Sequence, residues 1–275
     1  MRAPLPWLVC LSAFSFLDAQ TVKAPFYTES SIIDYATARP GQLTLNSLAV
    51  IHGENLSYVT RLRQESDLQG GRYPVALPEA NVSVRVRGSA VPVEFASPRL
   101  IVFVVPAQAL PGAADIQVVR QGVAGPKVRV ELLPDRPLIY PAEQGFLLAR
   151  HAANGEWIET GSPARPGEEV LLYAGGLGRL VPPLRDMQPP MTRLTVEKAA
   201  SFRLLLDGVE VDRSAIPYVG SLTGYAGIYE IRLRLPTAVA EDPEVTLLLE
   251  NQASPVSLRL PLRYPSPQPE APFSR

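Results

Sequence analysis

One strand-forming segment occurs twice in this chain. The first copy is Leu45–Leu56 and the second is Pro166–Leu177. Each copy opens with a residue that tolerates a positive φ angle, Asn46 or Gly167, then runs apolar and ends in small residues and a leucine. A duplicated segment of this kind predicts two similar folding units rather than one large domain.

The rest of the chain reads as short strands separated by Gly and Pro turns, and no segment shows sustained helical periodicity. Val82–Val86 alternates apolar with polar residues, and Ala90–Phe95 is predicted to return as a single strand. Leu100–Val105 is continuously apolar and stops at Pro106. Tyr229–Leu235 likewise stops at a proline. Strands without intervening helices predict an all-β protein made of two tandem immunoglobulin-like antiparallel β-sandwiches.

The first residues have the pattern of a secretory signal. Arg2 precedes an apolar run from Leu5 to Leu17, and Ala19 supplies the small residue at the cleavage position. A membrane anchor is the alternative, but the run is shorter than the ~20 residues that a span needs. The single cysteine, Cys10, lies inside this run, so the mature chain has no thiol and no disulfide.

A proline-bracketed segment, Pro134–Pro137, marks the best boundary between the two units. The predicted organisation is a signal peptide over 1–19, a first sandwich over 20–134, a second sandwich over 135–264 and a Pro-rich disordered tail over 265–275.

The charge balance bears on the partner. The chain carries 26 basic and 27 acidic residues and a net charge of -1, so it has no overall basic field to attract phosphates. Nucleic acid is therefore not expected as a partner. A hydrophobic content of 46% keeps the chain out of the disordered class despite its 29 prolines.

Several motifs resemble one family of immunoglobulin-like domains. The runs Val50–Leu56 and Ser97–Pro106 in the first half resemble the IPT/TIG family. In the second half, Leu172–Gly178, Leu206–Val209 and Gly224–Pro236 look like the uncharacterised C-terminal domain of that type carried by exported bacterial proteins. The resemblance implies a fold and an exported location. The family has no agreed catalytic residues to carry over, and Leu45-Asn46 and His52 depart from its pattern.

The sequence offers few groups for catalysis. His52 ends the first copy of the repeated segment and is expected to replace a core-edge aromatic, and His151 is expected to be a solvated histidine at a hairpin tip. The glycines of Ala174–Gly178 are followed by no Lys-Ser/Thr and are read as a tight strand exit, not a phosphate loop. No catalytic residue and no cofactor is predicted, and the protein is not expected to be an enzyme.

Extracellular sandwiches can bind calcium between modules, so the acidic residues are examined as possible calcium ligands. The acidic candidates Asp135, Glu143, Asp207 and Asp212 are scattered and lack the dense spacing of a calcium loop. No metal site is therefore predicted.

Two tyrosines are candidate ligand contacts. Tyr218 and Tyr225 fall in glycine-containing loops by the strand pattern, and flat rings on a rigid loop can stack on a sugar. The alternative, which the pattern favours, is that both rings pack their own loop.

The sequence predicts an exported, non-catalytic protein that binds or spaces an extracytoplasmic protein partner. The recognition elements are expected to be two long irregular connections, Ser57–Ala80 and Arg179–Lys198, since loops at the ends of such sandwiches carry recognition. The alternatives are a carbohydrate-binding accessory protein or enzyme, with polysaccharide as partner, and a structural assembly subunit that pairs through sheet edges. Periplasm, cell surface and medium remain open as locations.

Overall fold

The computed structural model describes residues 23–35, 38–185, 187–254 and 258–264. The predicted signal peptide and the predicted tail lie outside these residues. The described chain is built from strands in four sheets, two in each half, which confirms the all-β fold of two tandem immunoglobulin-like sandwiches. Within the same ranges, no helix has the length and hydrophobicity that crossing a membrane requires.

The N-terminal sandwich is formed by the strands up to Leu133. Its strands are β1 Ile32–Asp34, β2 Gln42–Thr44, β3 Leu48–His52, β4 Arg61–Leu62, β5 Val82–Val86, β6 Ser89–Val91, β7 Val93–Ala96, β8 Leu100–Val104, β9 Gly112–Arg120, β10 Val123–Ala124 and β11 Val128–Leu133. One sheet has the order β1-β3-β8-β7-β4. The other has the order β2-β11-β9-β5-β6, with β10 paired to β9. The β2–β11 pair is parallel, and the other pairs are antiparallel.

The C-terminal sandwich begins at Leu138. Its strands are β12 Leu138–Ile139, β13 Ala149–His151, β14 Glu169–Gly175, β15 Leu180–Val181, β16 Thr195–Val196, β17 Phe202–Leu206, β18 Val209–Glu210, β19 Tyr218–Ser221, β20 Tyr229–Arg234, β21 Glu244–Leu249, β22 Gln252–Ala253 and β23 Leu258–Arg259. One sheet runs β12-β14-β20-β19-β16-β15, with β13 also on β14. The other runs β18-β17-β21-β22, with β23 on β21.

Short 3-10 helices occupy some of the connections. They are Glu29–Ser31, Glu65–Asp67, Glu143–Gly145, Ala199–Ser201 and Arg213–Ala215. None is long enough to form a layer of its own, so the layers of both sandwiches are sheets.

The repeated segment supplies an inner strand to each half, as its apolar run requires. β3 lies between β1 and β8, and β14 lies between β12 and β20. The residues that open the two copies have the predicted positive φ angles, +50° at Asn46 and +82° at Gly167. The paired strands β8 and β20 end just before Pro106 and Pro236, because proline has no N–H to continue a ladder.

The prediction of a single strand over Ala90–Phe95 is wrong. The run divides at Pro92 into β6, which pairs with β5, and β7, which pairs with β8 in the facing sheet. The chain therefore crosses from one layer to the other at a residue that cannot donate a ladder hydrogen bond. Apolar patterning continues through the crossing because both strands face the same core.

Each sandwich encloses its own core, but the second core extends beyond its own strands. Val82, Ile116 and Phe103 are among the fully buried residues of the first core. The second cluster includes Tyr73 and Val104, which belong to the N-terminal half of the chain. Apolar packing is therefore continuous across the junction between the two sandwiches.

Candidate binding cleft between the two sandwiches

The two long connections highlighted by the sequence come together at this junction. The backbone N–H of Tyr73, in the first connection, donates to the carbonyl of Met187 in the second at 2.9 Å. The Tyr73 hydroxyl accepts the N–H of Ala226 at 3.1 Å. The first connection contains the short strand β4, and the second contains the short strands β15 and β16. The two connections are therefore less irregular than the sequence predicts. Tyr73 thus ties the first connection to two segments of the C-terminal sandwich.

A cleft of about 400 Å³ lies between the connections. From the N-terminal sandwich it is lined by Leu62, Arg63, Glu65, Leu68 and Glu94, and from the C-terminal sandwich by Pro189, Met191, Thr223, Gly224 and Tyr225. The volume is in the range of pockets that hold small molecules or single side-chain clusters. Both sandwiches are needed to form it.

A buried ion pair forms one wall of the cleft. Arg63 Nε donates to Glu94 Oε2 at 2.7 Å, and the two side chains are 5% and 17% exposed. The second carboxylate oxygen, Oε1, is buried and has no hydrogen-bond partner among the described residues. Burial raises the pKa of Glu94, although the Arg63 charge opposes this. Removal of Arg63 would leave an uncompensated buried charge, which is costly.

Arg63 also lies against two aromatic rings. Its guanidinium carbon is 5.0 Å from the ring centroid of Tyr73 and 5.8 Å from that of Tyr225, within the range of cation–π attraction. Burial and then the Glu94 charge raise the pKa of Tyr73, so this hydroxyl stays neutral. The guanidinium therefore holds together residues from both sandwiches.

The rim of the cleft is apolar and open to solvent. Leu62 is 64% exposed, Met191 is 68% exposed and Tyr225 is 50% exposed. Isolated exposed apolar residues are common on proteins, but three around one concave surface form a patch of the kind that contacts a partner.

Below the cleft, hydrogen bonds fix how the sandwiches meet. Asn46 is buried, and its Nδ2 donates to the Tyr229 hydroxyl at 2.7 Å while its Oδ1 accepts the Gly227 N–H at 3.2 Å. Tyr229 in turn donates to the Gly178 carbonyl. The Tyr140 hydroxyl donates to the Gly227 carbonyl at 2.8 Å. We refer to these contacts of Asn46, Tyr140, Gly178, Gly227 and Tyr229 as the junction network.

The structure separates the two tyrosines that the sequence singled out. Tyr225 lines the cleft, whereas Tyr218 begins strand β19 and is absent from the lining. The Tyr218 hydroxyl donates to the Ser221 carbonyl at 2.9 Å, and the Leu194 carbonyl lies 3.2 Å from the same oxygen, so its polar group is already used. Whether Tyr225 contacts a ligand remains a prediction.

Sequence reasoning missed Arg63, Tyr73 and Glu94. Arg63 and Tyr73 lie in a connection without periodicity, and Glu94 occupies an ordinary alternating position in β7. A charged residue in a strand usually faces solvent. The only sequence signal for these three residues is the length of the first connection. That connection packs over Glu94 and buries it.

The histidines also differ from expectation. His52 is exposed at the end of β3 rather than packed at a core edge. At the same place in the second copy, Tyr173 is buried under Trp157, with 5.9 Å between ring centroids. The repeat therefore preserves the strand but not the covering hairpin.

His151 is held in place rather than solvated. Its Nδ1 is 3.0 Å from Glu168 Oε1, and its Nε2 is 3.2 Å from the Ser162 carbonyl and 3.3 Å from the Ser162 hydroxyl. Serine, histidine and glutamate also form hydrolase triads, but there the imidazole must accept the hydroxyl proton. Here Nε2 lies as close to the Ser162 carbonyl as to the Ser162 hydroxyl, and the three contacts cross-link His151 to Glu168 and Ser162.

Three of the four acidic candidates for calcium, Asp135, Asp207 and Asp212, accept hydrogen bonds from other residues of the described chain. Asp135 accepts from Lys198 Nζ at 2.7 Å and from Gln252 Nε2 at 3.0 Å. Asp212 caps a 3-10 helix by accepting the Ser214 N–H at 2.7 Å. Within the described ranges, no three His, Cys, Asp or Glu side chains come together as a metal site.

No protein-family model matches the chain, and no curated protein matches its sequence. Among solved structures, it is similar to a surface glycan-binding protein, PbSGBP-B of Prevotella bryantii, at 11% identity over 87% of this chain and 42% of that chain, with a TM-score of 0.25. It is also similar to SGBP-B of the Bacteroides ovatus mixed-linkage glucan utilization locus, at 10% identity over 90% of this chain and 47% of that chain, with a TM-score of 0.34. A third similar structure is that of domains 5–6 of the S-layer protein SbsC, at 10% identity over 88% of this chain and 100% of that chain, with a TM-score of 0.27.

The chain thus spans less than half the length of the two glycan-binding proteins. At these identities and TM-scores the similarities carry no argument about ligand or partner.

Proposed function

We propose that this protein is an exported, non-catalytic binding protein whose partner occupies the cleft between its two sandwiches. The observation that carries the proposal is the convergence of both long connections on one concave surface with an apolar rim. In this proposal the chain divides into two domains at 134/135, both of the IPT/TIG type. The motif residues of the two halves and the signal-like start of the chain support the family and the export.

A protein partner fits the rim best. Exposed Leu62, Met191 and Tyr225 provide apolar contact area, and tyrosine, methionine and arginine are enriched where proteins meet. Arg63 beneath the rim is already fixed by Glu94, so little entropy is lost when it is covered. An apolar side chain of the partner, inserted between the connections, would bury this surface.

A carbohydrate is the second candidate because the half-exposed Tyr225 ring could stack on a sugar. The buried carboxylate of Glu94 could accept hydrogen bonds from sugar hydroxyls in the same cleft. Tyr225 is the one aromatic residue in the described lining, whereas a protein contact draws on all three rim residues. This difference favours the protein partner.

The proposal is tested by capture of partners with the purified protein on a resin. We expect the double variant L62S/M191S to lose the partner that the wild type retains, while L110S/V209S keeps it. The control removes two equally exposed apolar side chains, 67% and 70% exposed, that do not line the cleft. Equal recovery by both variants would refute the cleft as the binding site.

The carbohydrate candidate has its own outcome. Calorimetric binding of a neutral oligosaccharide that is abolished by Tyr225→Ala would replace the protein partner with a glycan. Failure of every neutral oligosaccharide to bind, together with loss of the captured protein in L62S/M191S, would leave the protein partner as the function.

A further inference from the structure

A second surface, on the far face of the N-terminal sandwich from its core, carries an unusual concentration of positive charge. Arg85 on β5 and Arg129 on β11 flank β9, which lies between those strands. The apolar members of the three strands, such as Val84 and Ile116, are buried in the core. Because side chains alternate along a strand, the arginines point to the opposite face.

The strand register arranges these charges in two rows. In one row Arg85 pairs with Gln117 of β9, and Lys127 lies on the other side of Gln117, since the next residue, Val128, pairs with Ile116. In the second row, Asp115 pairs with Arg129 on one side, and on the other side the backbone N–H of Arg87 donates to the backbone carbonyl of Asp115. Successive rows on a strand face are about 7 Å apart, and β5 and β11 are about 10 Å apart.

The four cations outnumber the two acids of this face, which are Asp115 and the exposed Glu131, two residues beyond Arg129 on β11. Arg85, Arg87, Lys127 and Arg129 are exposed, and none is within salt-bridge distance of a carboxylate in the described part of the chain. Together with Asp115 they line a shallow depression of about 520 Å³. In a chain of net charge -1, this face is a local basic field that the overall balance conceals.

The residues around the charges narrow the class of ligand. Large apolar side chains that insert strengthen binding to a membrane, and aromatic rings that stack on bases strengthen binding to single-stranded nucleic acid. The described lining of the depression contains neither; its uncharged members are Gly88, Ala113, Ala114 and Gln117. Arginine forks on a rigid, flat sheet suit carboxylate or sulfate groups presented along an extended chain.

We propose that the outer face of β5, β9 and β11 binds an acidic polysaccharide, with Arg85, Arg87, Lys127 and Arg129 as its contacts. This site is separate from the cleft between the sandwiches and requires no part of the function proposed for that cleft. Asp115, between the arginines, weakens the attraction for an acidic polymer.

The test measures the affinity of the full chain for polygalacturonate and dextran sulfate, with neutral dextran as the reference, at low and high salt. We expect the acidic polymers to bind and the affinity to fall as salt rises. The triple variant R85Q/K127Q/R129Q should bind about 8- to 27-fold more weakly, since each of the three exposed charges contributes about two- to threefold. Arg87 is retained because it also donates to the Ala113 carbonyl at 2.9 Å.

Two control variants separate this site from a general effect of net charge. R179Q/R234Q/R259Q removes three exposed arginines from the C-terminal sandwich and should leave the affinity unchanged. Asp115→Asn should tighten binding about two- to threefold, whereas Glu197→Gln, a loss of the same charge elsewhere, should not.

Equal weakening by the two triple variants would overturn the proposal, and so would absence of binding to both acidic polymers. The protein could also bind anionic vesicles or single-stranded DNA more strongly than either polymer. If that binding is salt-sensitive and is lost in R85Q/K127Q/R129Q, the face has a different partner and the proposal is overturned. Unchanged thermal unfolding of each variant shows that the comparison is made between folded proteins.

Discussion

Asn46→Gly tests whether the junction network holds the two sandwiches together. Glycine adopts the φ angle of +50° seen at Asn46 without strain, so the backbone of the turn is preserved. What the substitution removes is the buried side-chain amide, with its hydrogen bonds to Tyr229 and Gly227. The perturbation is therefore confined to contacts across the junction.

The expected cost follows from the two hydrogen bonds. Loss of the bond to the Tyr229 hydroxyl costs about 1 kcal/mol, because that hydroxyl still donates to the Gly178 carbonyl. Loss of the acceptor for the Gly227 N–H leaves a buried donor unpaired, which costs about 1–3 kcal/mol. The free energy of unfolding should fall by about 2–4 kcal/mol, a large part of the stability of a typical domain.

The measurement is denaturant unfolding followed by circular dichroism, with amide hydrogen exchange at Gly227 as a local readout. Asn81→Gly is the matched control, since Asn81 has a φ angle of +47° and is exposed. It should change the unfolding free energy by less than about 0.5 kcal/mol. A double-mutant cycle of Asn46→Gly with Tyr229→Phe should give a coupling energy of about 0.5–3 kcal/mol.

Equal stabilities of the Asn46→Gly and Asn81→Gly variants would refute the reasoning, because the junction hydrogen bonds would then contribute nothing beyond the turn. Unchanged exchange at the Gly227 amide would refute it independently. It would show that this N–H is protected without the Asn46 side chain.

Three further changes probe the same region. Gly227→Ala puts a Cβ within 3.2–3.3 Å of the N-terminal sandwich. The matched control is Gly224→Ala, whose Cβ meets nothing within 4 Å at a similarly positive φ. In thermal or denaturant unfolding, Gly227→Ala should be less stable than the control by about 1–3 kcal/mol. Burial raises the pKa of Glu94, although the Arg63 charge opposes this, so the native state keeps the Glu94 proton to higher pH than the unfolded chain does. The protonated Glu94 therefore contributes its full stability at acidic pH, and this contribution falls as the pH rises through the raised pKa. Glu94→Gln should therefore flatten the dependence of unfolding free energy on pH in that window, and an unchanged slope would contradict the assignment. Tyr218→Phe should cost about 1 kcal/mol from the lost hydroxyl bonds and leave partner capture intact, whereas a variant that folds but loses the partner would place Tyr218 in the binding surface.

The fold was accessible to sequence reasoning because its signals are local. The apolar run of the repeat, the turn residues and the strand-ending Pro106 and Pro236 each specify nearby backbone. The crossing at Pro92 was missed because β6 and β7 face one core, so the apolar pattern is continuous while the hydrogen-bonding partners change.

The cleft was only partly accessible, because it depends on how two distant segments meet. The lengths of the connections pointed to recognition, and Tyr225 was identified as a candidate contact. The ion pair of Arg63 with Glu94 was not, since burial of Glu94 is caused by a connection that precedes it by many residues. His151 was misjudged for the same reason: its partners Glu168 and Ser162 belong to other segments of the chain.

The difference between Asn46 in the first copy of the repeated segment and Gly167 in the second has a physical explanation in the junction. Asn46 and Gly167 occupy the same place in the two copies, and both have positive φ angles. A Cβ at Gly167 would meet only Thr237, of the same sandwich, so the turn needs no side chain there. At Asn46 the turn faces the second sandwich, and the position must satisfy the Gly227 N–H and the Tyr229 hydroxyl as well as the turn. Asparagine meets both demands, because it tolerates a positive φ angle better than most residues and has a donor and an acceptor on a short side chain. A glycine-to-asparagine difference between repeats therefore marks the copy whose turn is covered by its neighbour.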